Sequence, residues 1–396
     1  MSIRKAWFIH VGILLLTSCY RVVYLDETDP ETANAGNKVF ADSHIHTIEL
    51  FLSAEDWQAI IDEAAVYENT NPDRPYYQAL LIFDGELLSN PIGIRLKGHI
   101  SIPLSRGHSF PLKLDFNRFT ENQTLDGLKK LNLNNNFNGP PLTIVRDFIS
   151  YNAWREFGVA ASRTAFAEVS VNQEYLGIYA LVEQVDGGFL KRNFSMPYGD
   201  LYKPEQISGR LEYRGPNISD YPDIGHKWPD ESDHSSLLHA LEVLHTGQIG
   251  DIGQVFDLES ILSYLVGNVA LGVFDYYPIT GHNYYLYEDH PGRFSMLPWD
   301  MNGSLEVGNP HICSPTEGYL SRKLLEDPDL QARYFELLSG FLNSAGSVER
   351  LIDRLNHARS LIGSEFPPEV FEGLRHEIEM RDDWLRSEIE FTTACL

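Results

Sequence analysis

The hydrophobic period of the chain changes part-way along it, and that switch limits the fold more than any other feature. Between Tyr76 and Phe119 the runs YYQALLIFDG, PIGIRLKGH and SFPLKLDFN alternate or run apolar, which predicts strands. A further strand pair, TAFAEVSVN and YLGIYALVEQV, is joined by the turn-prone NQEY. HTIELFLS reads as an earlier strand. SAEDWQAIIDEAAVY reads as a helix with Ser53 as N-cap, and Leu142 to Phe157 as another stopped by Gly158. After Lys203 residues 206–236 are polar and loop-like. Helical spacing then dominates in SSLLHALEVLHTG, in DLESILSYLVGNVALGVF and from Tyr319 to the end. The pattern predicts an α+β protein with a β-rich half over 39–205, a helix-rich half over 206–396, and a ligand cleft between two lobes. With 396 residues the chain is long enough for that arrangement.

The first nineteen residues carry Arg4 and Lys5, then an apolar run from Ala6 to Leu16. That is the form of an export signal and is short for a membrane span. Its ending, Leu16-Thr17-Ser18-Cys19, resembles a bacterial lipobox, which makes Cys19 the lipidated first residue of a membrane-anchored protein. The plainer reading is a cleaved signal with an incidental Cys. Tyr20 is not an inner-membrane retention Asp, which favours the outer membrane in a two-membrane cell. Residues 20–38 are polar and acidic and read as a flexible tether. In an exported protein Cys313 and Cys395 could pair, although spacing alone does not join them. The net charge of −25 lacks any compensating basic run and argues against a nucleic-acid partner.

Chemistry concentrates in GHNYYLYEDHPGRFSMLPWDMNGS, read as strands Asn283–Tyr287 and Arg293–Leu297 around a turn at EDHPG. Asp275, Asn283, Asp300 and Asn302 put hard oxygen ligands at its open end, as Mg²⁺ or Mn²⁺ requires. The order Asp, Asn, hairpin, Asp is also that of a protein kinase, in which the first Asp receives the acceptor's proton and the others hold metal. Asp and Asn are common beside turns for local reasons too. Upstream, Arg95 and Lys97 share one strand face and Lys113 lies on the next strand, suited to phosphates. Glu183 leads into Gly187-Gly188, which reads equally as a hinge or as a turn. His44 and His46 form a His-x-His pair, weak evidence for a metal without a nearby carboxylate. No Gly-x-Ser-x-Gly or P-loop pattern is present.

Taken together, GIRLKGH…SFPLKLDF, GVAASRTAFAEVSVNQEYLGIYALVEQVDGGFL, GDLYKP and GHNYYLYED…GRFSMLPWDMN resemble the spore coat protein H (CotH) kinase family over roughly residues 45–310. The resemblance implies an atypical protein-kinase-like fold that transfers phosphoryl from metal-bound ATP to Ser or Thr of exported or surface proteins. It implies Asp275 as catalytic base, and Asp300 and Asn283 as Mg²⁺ or Mn²⁺ ligands. Lys97 or Lys113 becomes a nucleotide contact, and Arg95, Glu183 and Lys203 fall in family motifs without firm roles. Position 302 carries Asp in some members, so Asn302 implies somewhat weaker metal binding. ATP is scarce outside the cytoplasm, which leaves the phosphoryl donor open. Two other readings stand beside this one. A non-catalytic surface module would have no need of all three hairpin residues. A metal-dependent phosphoesterase would need more bridging ligands than the hairpin offers.

Overall fold

The computed structural model describes residues 34–66, 74–98, 101–137, 142–392 and 394–395. The signal-like segment, Cys19 and most of the expected tether lie outside the described residues. The elements in chain order begin with β1 (His46–Phe51), α1 (Ala54–Ala65), β2 (Tyr77–Phe83), β3 (Glu86–Leu87), β4 (Ile92–Leu96), β5 (Leu112–Asp115) and β6 (Lys130–Asn134). Then come α2 (Leu142–Glu156), β7 (Thr164–Val171), β8 (Glu174–Glu183), α3 (Gly187–Asn193), β9 (Leu201–Pro204) and β10 (Ile224–Trp228). Helices α4 (Ser235–Thr246), α5 (Ile249–Val255), α6 (Leu258–Ala270) and α7 (Tyr277–Thr280) precede the hairpin of β11 (Tyr284–His290) and β12 (Arg293–Pro298). The chain ends in α8 (Tyr319–Leu325), α9 (Pro328–Leu342), α10 (Val348–Ile362) and α11 (Pro368–Phe391).

The α+β composition is as expected, but the first half is a barrel. Its strands run β1-β7-β8-β6-β5-β4-β2-β3, and β1 also pairs with β2, which closes the ring and leaves β3 as a flap. Alternate residues face inward. Ile48, Leu50, Leu81, Phe83, Ile94, Leu96, Leu112, Leu114, Leu131 and Leu133 fill the interior, and Trp57 and Ile60 of α1 join that core. Ser53 caps α1 by accepting the Asp56 amide at 3.0 Å. The opposite alternation carries Arg95, Lys113 and Asn132, which are neighbours across β4, β5 and β6. Lys97 prolongs β4, its amide bonded to the Pro111 carbonyl.

A second core joins the outer face of β7 and β8 to the helices, and α2 runs through it. Nearly every residue of α2 from Thr143 to Trp154 is buried, so this helix has no solvent face. A second sheet, β10-β9-β11-β12, holds the hairpin against the helices.

Three local expectations need correction. Residues 206–236 contain β10, whose short sequence IGHKW shows no apolar alternation. Gly187-Gly188 is neither hinge nor turn but the start of α3, capped by Asp186, whose carboxylate accepts the Gly188 and Phe189 amides. The last residues of the expected tether, 34–38, are tied to the barrel: Arg163 donates to the Ala35 carbonyl and the Asp126 carboxylate accepts the Lys38 amide, both at 2.6 Å. Cys313 and Cys395 form a disulfide. Among the described residues no helix is long and apolar enough to cross a membrane.

Candidate active site

The open end of the hairpin is built by main-chain bonds. The Trp299 amide donates to the Asn283 carbonyl at 3.2 Å, so Asp300 leaves the hairpin beside the point where Asn283 enters it. Both residues have left-handed backbone, φ +62° in each case, a conformation that Asn and Asp tolerate better than most residues. The Asn283 side-chain amide donates to the Asp275 carbonyl at 2.9 Å, which leaves Oδ1 as its remaining ligand atom. Asp275 is half-buried, and its carboxylate has no hydrogen-bond partner among the described residues. Asn302 lies half-buried in the following turn.

Helix α2 grips the loop that carries Asp300. Its Tyr151 hydroxyl accepts the Asp300 amide at 2.9 Å. Trp154 Nε1 donates to Met301 Sδ at 3.2 Å, Ser150 bonds Ser304 at 2.7 Å, and the Met301 amide donates to Asp147. The barrel approaches from the other side. The Lys97 ammonium donates to Asn134 Oδ1, and Asn134 Nδ2 donates to Asp147 Oδ2 at 2.8 Å. The ammonium also lies 5.6 Å from the centre of the Trp299 ring.

Electrostatics tie these groups into one cluster. Burial pushes the Lys97 ammonium below the ordinary lysine range, while Asp300 and Asp147 oppose the shift. Burial and the neighbouring Asp300 charge raise the Asp147 carboxyl to about 7. Lys113 donates to Gln184 Oε1 at 2.6 Å. Its ammonium falls well below the usual range through burial and the adjacent charges of Arg95, Lys130, Lys97 and Lys203. Lys203, paired with Glu205 at 2.6 Å, is also pulled down by burial. Tyr285, Glu205 and Asp300 together outweigh that effect and leave it raised.

Of the residues singled out from sequence, Arg95, Lys97, Lys113 and Asp300 therefore share one electrostatic neighbourhood, with Asn283 and Asp275 attached through the hairpin backbone. Glu183 does not belong to it. Its carboxylate is clamped by Arg163 at 2.7 Å and by Arg192, and it also accepts the Arg163 amide at 3.1 Å. Both oxygens are engaged by these arginines. Lys203, which GDLYKP marks without giving it a role, joins this cluster. Asp147 is the member that sequence reasoning misses, although a carboxylate in the apolar run IVRDFIS is a recognisable signal.

A family model described as CotH kinase protein matches residues 94–392. The chain belongs to this CotH family. It is 22% identical over 256 residues to inner spore coat protein H of Bacillus subtilis (strain 168), a match covering 58% of this chain and 67% of that protein. Among solved structures it resembles the Helicobacter pylori proinflammatory kinase CtkA, with a TM-score of 0.38 and 8% identity over 70% of this chain and 92% of that one. The CotH match opens in β4 beside Arg95 and takes in every hairpin residue described above, whereas β1, α1 and β2 precede it.

Proposed function

We propose that this CotH protein is a protein kinase that transfers the γ-phosphoryl of metal-bound ATP to a Ser or Thr hydroxyl of an exported or surface protein. The observation that carries the reading is the cluster of half-buried Arg95, Lys97, Lys113 and Lys203, in which four cations share few carboxylates and Lys97 and Lys203 feel the charge of Asp300. Such an excess is costly until a polyanion enters, and a triphosphate is one. The donor set also suits a hard divalent cation, with the Asp300 carboxylate and the Asn283 Oδ1 as ligands and Asn302 close in sequence. A bound Mg²⁺ or Mn²⁺ would neutralise phosphate charge as the leaving oxygen departs.

The protein's own groups perform the rest. Lys97 and Lys203 would bind phosphate oxygens, and Asn134 and Glu205 aim their ammonium groups. Asp275, with its carboxylate uncommitted, would accept the proton of the attacking hydroxyl as the new P–O bond forms. Helix α2 would keep Asp300 in place through Tyr151 and Asp147. In the same proposal the chain is exported and held at a membrane by a lipid on Cys19, so that Cys19→Ala would abolish membrane partitioning.

The test is incubation of the purified protein with γ-labelled ATP, Mg²⁺ or Mn²⁺ and a Ser/Thr-rich acceptor. Label on acceptor hydroxyls, lost when the metal is chelated, is the expected result. Free phosphate without labelled protein would point to a phosphoesterase, and an absence of nucleotide binding by folded protein to a non-catalytic module.

A further inference from the structure

The His-x-His pair acquires in the structure the carboxylate that the sequence did not supply. The Asp84-Gly85 turn between β2 and β3 brings Asp84 Oδ2 to 2.8 Å from His46 Nδ1 and 3.7 Å from His44 Nε2. The two imidazoles meet edge-on with their centres 4.5 Å apart. Among the described residues these three form the only group of His, Cys, Asp or Glu side chains whose ligand atoms all lie within 4.8 Å of one another.

Each of the three is held by a further hydrogen bond on its other atom. His46, fully buried, has Nε2 2.9 Å from the Ala41 carbonyl. A carbonyl only accepts, so Nε2 carries the hydrogen and Nδ1 is the nitrogen turned to Asp84. His44 Nδ1 lies 3.2 Å from the Ser43 hydroxyl, leaving Nε2 toward Asp84. Asp84 Oδ1 accepts the Thr47 amide at 2.8 Å, leaving Oδ2 toward both imidazoles. An imidazole lone pair and a carboxylate oxygen at 2.8 Å repel unless a positive charge lies between them. That charge is either a proton or a metal ion. Outer hydrogen bonds that fix each ligand's orientation are the usual support of a metal site.

We propose that His44 Nε2, His46 Nδ1 and Asp84 Oδ2 bind a borderline divalent cation, with Zn²⁺ the best match, at a site separate from the phosphotransfer cleft. Two imidazole nitrogens and one carboxylate are a zinc donor set, and Mg²⁺ and Ca²⁺ prefer oxygen ligands throughout. His44 is half exposed, which leaves the fourth position to water. The ion would fasten the segment before β1 to the β2–β3 turn, beside the point where residues 34–38 dock on the barrel.

The test is calorimetric titration of chelator-stripped full-length protein with Zn²⁺ and, separately, with Mg²⁺. Wild type is expected to bind Zn²⁺ at this site and to melt at a higher temperature with it, whereas Mg²⁺ produces neither effect there. His44→Ala should weaken that binding on the order of tenfold or more and abolish the melting shift. Its metal-free melting should stay as in wild type, because the side chain is half exposed. Asp84→Asn tests the carboxylate in the same way, and Asp300→Ala should leave the zinc step intact. No Zn²⁺ binding by wild type, as a proton-bridged pair would give, overturns the proposal. So does unchanged Zn²⁺ affinity in a folded His44→Ala variant.

Discussion

At the scale of single residues, Asp147 is a buried carboxylate beside a second one, Asp300. Its carboxyl is raised to about 7 by burial and by Asp300, whereas in the unfolded chain it titrates near the ordinary Asp value of about 4. Between those values the folded protein binds a proton that the unfolded chain does not. The stability this contributes is full below the lower value and is lost as pH rises through the upper one. Asn is neutral at every pH, and its one oxygen can still accept from Asn134 as Oδ2 of Asp147 does. Asp147→Asn should therefore stabilise the metal-free protein more at about pH 8 than at about pH 5, by on the order of a few kcal/mol. Urea unfolding of both proteins at the two pH values measures this, and an equal effect at both would contradict it. Glu183 is the contrasting case. Its charge is met by Arg163 and Arg192, and nothing in LVEQVDGG reveals whether a buried Glu faces an arginine or a ligand.

At the scale of elements, the account rests on α2 as the clamp between barrel and hairpin. Helix α6 crosses α2 so closely that a Cβ on Gly267 would fall 2.1 Å from the Trp154 ring. Trp154 is fully buried and bonds Met301. Gly267→Ala should thus destabilise the protein by about 1–3 kcal/mol and also lower phosphoryl transfer by displacing the Asp300 loop. Gly340→Ala, in the last turn of α9 where an added Cβ meets nothing within 4 Å, should be neutral or stabilising by about 0.5–1 kcal/mol. Thermal melts and transfer assays of the two variants separate these outcomes, and equal behaviour would refute the clamp. The elements were legible where one face is apolar. The alternation in GIRLKGH puts Arg95 and Lys97 on one strand face with Lys113 on the next strand, and in the structure Arg95 and Lys113 are paired across β4 and β5 while Ile94, Leu96, Leu112 and Leu114 fill the interior. Barrel closure was not legible, because the β1–β2 and β1–β7 pairings join distant segments by backbone bonds that leave no local pattern. Helix α2 was found as a helix, but its role was hidden because it is buried all round. The hairpin emerged from its Pro-Gly break, yet β11 runs three residues further than expected, to His290, through an irregularity after Glu288.

At the scale of the molecule, two long-range constraints hold the helical half. The Cys313–Cys395 disulfide spans 82 residues and returns the end of α11 to the segment that follows the hairpin. Reduction should lower stability by about 4 kcal/mol on a chain-entropy account, with Cys395→Ser matching the reduced wild type. Urea midpoints with and without reductant measure this, and no shift would mean that the second core holds the tail unaided. The other constraint is the meeting of barrel and hairpin, where Lys97 and Lys203 feel the charge of Asp300, while Asp275 is joined to the hairpin through its own carbonyl, which accepts from Asn283. The central claim of the proposed mechanism is that nucleotide binding and proton acceptance fall to different carboxylates, Asp300 and Asp275. Single-turnover transfer of labelled phosphate, with Mg²⁺–ATP affinity measured on the same samples, tests it most directly. Asp275→Asn should bind Mg²⁺–ATP within about twofold of wild type, yet transfer roughly 10²–10⁴-fold more slowly. Asp300→Asn should lose Mg²⁺-dependent nucleotide affinity as well as transfer. Equal loss of nucleotide affinity in both variants, or transfer that survives both, would contradict the account.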